Sequence, residues 1–128
     1  MPKNGLLVGG GGGWSNRYTD YVLHIDGTIE KLEYETGDGP IPDDYVITAT
    51  KVGAANDVVD FVGKLTANGF WTQASDKNFS SAVEYIVAVN EKKGAHTVVW
   101  SVDASNYPEP IWSIRKDILD YAKKIAGG

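Results

Sequence analysis

The chain of 128 residues has no cysteine, one methionine and only two histidines. Without cysteine there are no disulfides, thiolate metal sites or cysteine nucleophile, and the compartment stays open. No apolar run approaches the roughly 20 residues that a membrane-spanning helix needs. Only three apolar residues, Leu6, Leu7 and Val8, follow Met1-Pro-Lys-Asn-Gly before the glycines begin, too few for a signal-peptide core. As it begins, the chain therefore reads as cytoplasmic; a leader removed from ahead of it would make the protein secreted or lipid-anchored. Cationic patches are also scarce. With 12 basic against 17 acidic side chains the formal net charge is −5, and the pairs Lys92-Lys93, Arg115-Lys116 and Lys123-Lys124 are short and bracketed by acids. A nucleic-acid binder normally carries a basic stripe, so that class of partner is not expected.

What is present is ordinary for a folded protein: 42% apolar and 23% charged residues. A chain of this length makes a single domain, residues 1–128, and buries roughly two-thirds of the surface its unfolded form exposes. A short strand is expected over Gly5 to Gly9, followed by the glycine run Gly9 to Gly13 and Trp14. Tyr21-Val-Leu-His-Ile25 and Thr28-Ile-Glu-Lys-Leu32 flank Asp26-Gly27, the signature of a hairpin with a type I′ turn. Glu35 to Asp44 is a loop rich in glycine, proline and acid. Tyr45 to Thr50 is β-branched and predicts another strand.

Asn56 is placed to cap a helix running from about Asp57 to Ala67, stopped by Asn68-Gly69, with Phe70 folding back onto its last turn. Val83 to Val89 and His96 to Val102 alternate about Glu91-Lys-Lys-Gly94 and predict a second hairpin. It is apolar on both faces, which places it near the middle of the sheet. Pro108-Glu-Pro110 then launches a helix with the stripe Ile111, Ile114, Ile118, Leu119, Ala122 and Ile125. Strands joined by hairpins, with two helices, predict an α+β fold. The expectation is an antiparallel sheet of about five to six strands with both helices packed on one face. Val58, Phe61, Val62, Leu65, Val87, Val99, Ile114, Ile118 and Leu119 are expected to share its core.

The chemistry-bearing motifs fall short one by one. After Gly13 come Trp14-Ser15-Asn16, where a P-loop needs lysine and a hydroxyl residue, and a dinucleotide fingerprint needs a helix where this chain predicts a strand. The glycines instead read as an arm or a bulged strand that allows close backbone approach. His24 and His96 lie on predicted strands without a second ligand at metal spacing or a serine in a nucleophile motif. Glu33, Glu35, Asp38, Asp43 and Asp44 cluster in sequence, but on a loop without a rigid element to fix two carboxylates at catalytic separation. Asp76-Lys-Asn78-Phe-Ser80 begins like a calcium loop; Ser81 and Val87 then stand where that loop needs glycine and glutamate. No catalytic residue, metal or cofactor is therefore expected. Exposed aromatics beside loops are what a protein-binding patch uses. The candidate partner-binding residues are Gly10, Gly11, Gly12, Trp14, Trp71, Tyr107 and Trp112.

Gly12-Gly13-Trp14, Leu23-His-Ile-Asp-Gly-Thr28, Asn68-Gly-Phe70, Tyr85-Ile-Val-Ala-Val89, Gly94-Ala-His-Thr-Val-Val-Trp100 and the proline-led last helix from Pro108 together resemble the emfourin-like domains. These include small inhibitors of thermolysin-like metallopeptidases and small lipoproteins of bacteria and archaea. The resemblance covers most of the chain; the longer glycine run and the segment from Glu35 to Thr50 depart from it. It implies a non-catalytic module whose partner is another protein, a peptidase among the candidates. The alternative is an enzyme or small-ligand-binding domain whose site is formed by the acidic loop 33–44 and a histidine.

Overall fold

The computed structural model describes residues 4–11, 17–35, 46–75, 82–102 and 107–127. Six strands and two α-helices follow one another as β1 (Gly5–Gly11), β2 (Arg17–His24), β3 (Thr28–Glu35), β4 (Val46–Val52), α1 (Ala55–Ala67), β5 (Val83–Asn90), β6 (Gly94–Ser101) and α2 (Ile111–Ala126), with a 3-10 turn at Phe70–Thr72. Every strand pairing is antiparallel, in the order β4-β3-β2-β1-β5-β6. The α+β class, the antiparallel sheet and the pair of helices are as the sequence predicts.

Strand alternation sorts the side chains of the sheet onto two faces. Leu6, Val8, Tyr21, Leu23, Ile29, Ile86, Ala88, Val98 and Trp100 face the helices and form the main core with Val58, Leu65, Phe70, Ile111, Ile114, Ile118 and Ala122. Leu7, Val22, Leu32, Tyr85 and Val87 form a second cluster on the other face, at most 5% exposed, and no helical residue enters it. Val87 and Val99 belong with this second cluster, so the expected single core is divided by the sheet. Phe61, Val62 and Leu119 are half-buried at the margin of the main core.

Several local expectations change. β1 runs through Gly9, Gly10 and Gly11, two residues beyond the expected strand, because β2 and β5 flank it on both sides and supply its ladder partners. The β2–β3 loop has three residues, Ile25 to Gly27, in place of a two-residue type I′ turn. Gly27 donates to the His24 carbonyl and takes φ 100°, and the Asp26 carboxylate receives the Thr28 N–H. Three-residue loops ending in a left-handed glycine are the next commonest hairpin solution. α1 begins at Ala55 with Ala54 at the cap and no side-chain cap, so Asn56 lies inside the helix. Only β5 of the second hairpin is interior; β6 is an edge strand. Its apolar faces are accounted for by Val98 and Trp100 in the main core and Val99 against the second cluster.

Candidate functional site

Gly9 marks the place where side chains crowd the backbone from both sides of the sheet. On the helix-free face the carboxylate of Asp20, wholly buried on β2, lies directly against Gly9, where any Cβ would overlap it. Asp20 accepts hydrogen bonds from the hydroxyls of Tyr34 at 2.8 Å and Tyr85 at 2.5 Å, whose oxygens also stand 2.8 Å apart. Burial and the adjacent Asp20 charge push the Tyr85 pKa far above the ordinary phenol value. On the helix face Arg115 of α2 donates to the Gly9 carbonyl at 2.6 Å, the Tyr85 carbonyl at 3.1 Å and the Glu84 carboxylate at 3.3 Å. Burial lowers the Arg115 pKa against the opposing pull of Glu84, Tyr85 and Asp20. Trp100 gives its indole N–H to the same Glu84. The three residues Asp20, Tyr85 and Arg115 are at most 5% exposed. They tie β1, β2, β3, β5 and α2 into one body, shielded from solvent.

Two of the candidate glycines, Gly10 and Gly11, meet the chain itself. A Cβ at Gly10 would press on the Val83 carbonyl, and one at Gly11, whose φ is 151°, would overlap the Arg17 carbonyl. Gly12 and Trp14 lie outside the described residues. Trp71 and the Tyr107–Trp112 pair sit at opposite ends of β6. Trp71 packs edge-on against Phe70 and close to His96, with the Lys93 ammonium 5.4 Å from its ring centre. At the far end Tyr107 stacks on Trp112 with centroids 4.9 Å apart, and its hydroxyl donates to the Val102 carbonyl. All three are half-buried. With roughly 3.3 Å per residue, the six positions from His96 to Val102 separate the two groups by about 20 Å, so they form two patches.

The histidines are each engaged locally. His24 pairs with Glu30 at 2.5 Å, and His96 bonds the Gln73 carbonyl at 2.8 Å. Glu33 and Glu35 lie at the other end of the sheet from His24: Glu33 pairs with Thr19, five residues back along β2. Asp38, Asp43 and Asp44 fall outside the described residues. An open cleft of about 610 Å³ occupies that far end, walled by Arg17, Tyr18, Thr19, Glu33, Tyr34 and Thr48 among others. Its Arg17–Glu35 pair is 75% and 68% exposed, too loosely held to fix a reacting group. Among the described residues no group of three His, Cys, Asp or Glu stands at metal-binding distance, and no helix is long and apolar enough to cross a membrane.

The two sheet edges differ. Along β6, the segment before residue 76 runs beside the strand: the Ser75 hydroxyl donates to the Thr97 carbonyl and accepts the Val99 N–H. Along β4, six of seven residues are exposed, including Val46 at 63%, Ile47 at 46% and Val52 at 76%. Thr48 is an extra residue, a β-bulge, since Ala49 opposes Lys31 while Ile47 opposes Leu32. Sequence reasoning recognised β4 as a strand but not as the edge beside which no further strand lies among the described residues, because edge position is a property of topology. No protein-family model matches the chain, and no curated protein matches it.

Proposed function

We propose that this chain is a non-catalytic protein-binding module that engages its partner along the β4 edge. The observation that carries the reading is the contrast between the edges: β6 is occupied by the chain's own Ser75, whereas β4 leaves large apolar β-branched side chains in water. Such an edge offers a row of backbone donors and acceptors to an extended partner segment, with side-chain contacts on alternate residues supplying selectivity. The resemblance to emfourin-like domains makes a thermolysin-like metallopeptidase the first heterologous partner to try. The test compares capture of a purified thermolysin-like enzyme, and of lysate proteins, by the native chain and by Thr50→Pro. Proline is tolerated on an edge strand where its lost N–H faces outward. Retention by the native chain and loss on substitution supports the reading; equal retention by both moves the binding surface off β4.

A further inference from the structure

We infer that the occupant of the β4 edge is a second copy of this chain, joined through a two-fold axis at Thr50; the inference rests on the binding role of β4 proposed above. It starts from which backbone groups of β4 have no strand partner among the described residues. Gly53 donates to the Gly27 carbonyl at 2.8 Å, in the same register as the Thr28–Val52, Ile29–Lys51, Glu30–Thr50 and Lys31–Ala49 pairs. Hydrogen-bonded and non-bonded pairs alternate along an antiparallel ladder. Lys51 and Ala49 therefore bond inward to β3, and Thr50 and Val52 present their N–H and C=O to the outer edge of the sheet.

An antiparallel copy centred on Thr50 makes Thr50 exchange both its bonds with Thr50 of the second copy. The pairs to either side then follow from the bulge. Lys51 meets the small Ala49, so the only charge of the strand faces no like charge. Val52 meets Ile47, because the extra residue Thr48 turns Ile47 onto the same face as Leu32, Thr50 and Val52. Without that bulge Ile47 would lie on the helix face and Val52 would have no apolar partner. The bulge, usually a device that blunts an edge, here sets the register in which the edge complements itself. Each dimer gains two Val52–Ile47 pairs and one Thr50–Thr50 pair, cross-strand combinations that stabilise sheets, and the two sheets become one of twelve strands. One strand edge buries less than a standard interface, so the association is concentration-dependent.

Because the chain has no cysteine, Thr50→Cys supplies a unique probe. Residues exchanging both bonds across an antiparallel pair have Cα atoms about 5.5 Å apart, within disulfide reach. Mild oxidation of Thr50→Cys is expected to give a disulfide-linked dimer at least about tenfold faster than Lys51→Cys or Val46→Cys. Sedimentation of the native full-length chain is expected to move from one to two chain masses with rising concentration. That shift should be absent in Thr50→Pro and in Val52→Lys, each with unchanged far-ultraviolet dichroism. If Thr50→Pro fails to fold, Val52→Lys decides. A native chain that stays monomeric up to about 1 mM, or dimerises equally in both variants, overturns the inference. If that monomer still captures a partner that Thr50→Pro loses, the second copy is wrong while the binding role of β4 stands.

Discussion

At the scale of single residues, the stability of the centre depends on protons as well as packing. Tyr85 is 2% exposed, and its ionisation in the folded state is suppressed by burial first and then by the Asp20 charge. Tyr21 and Tyr121 are raised too, chiefly by burial. A phenol with a folded pKa above its unfolded value of about 10 stabilises the fold fully below that pH. It loses this contribution as the pH rises beyond, because the unfolded chain releases a proton that the folded one keeps. For Tyr85 the slope approaches about 1.4 kcal/mol per pH unit. Urea midpoints measured from pH 8 to pH 11.5 should fall steeply past about pH 10. Tyr85→Phe removes a donor from Asp20 and should be less stable than the native chain at pH 8. The gap between the two should narrow at the alkaline end, and parallel curves would refute this account.

At the scale of elements, the difference between expectation and structure turns on which side of each element is covered. Helical spacing places Phe61 in the core, but only Val58 and Leu65 of α1, two turns apart, are fully buried. Phe61 lies at the margin, edge-on to Tyr121 with centroids 5.5 Å apart. Phe70 is wholly buried just beyond the Gly69 stop. Phe70→Ala should therefore cost about 3–5 kcal/mol and Phe61→Ala about 1–2, read as shifts in a urea unfolding curve. Equal costs would mean that α1 buries a wider face than its exposure shows. Strand and helix existence was legible because periodicity reports which side is apolar. Two buried charges were not, although each left a trace. Asp20 falls in phase with Tyr18 and Val22 once β2 is extended to Arg17, and Arg115 lies four residues after Ile111, on the buried stripe. A charge on an apolar face signals a buried partner only when the partner is known, and Gly9, Glu84 and Tyr85 come from other strands. The candidate tryptophans were legible as types, but their separation along β6 was not. The edge position of β4 was invisible for the same reason, since strand order depends on pairings between distant segments.

At the scale of the whole molecule, charge decides how self-association responds to salt. Each copy carries a formal net charge of −5, so two copies repel as they approach. The proposed contact itself places no opposite charges together: Lys51 faces Ala49, and the remaining pairs are threonine, valine and isoleucine. Salt therefore has a repulsion to screen and no attraction across the strands to weaken. The screening length falls from about 20 Å at 20 mM to about 4 Å at 0.5 M. Over that range the dimer dissociation constant, followed by sedimentation equilibrium, should tighten several-fold. Apolar pairing is not lost in salt and is mildly strengthened by well-excluded anions such as sulfate, so sodium sulfate should tighten the dimer more than sodium chloride at equal ionic strength. An interface built on ion pairs responds in the opposite sense, weakening as salt rises. A dissociation constant that loosens between 20 mM and 0.5 M would therefore relocate the contact from the β4 edge to a charged surface, such as the end of the sheet that carries Arg17, Glu33 and Glu35.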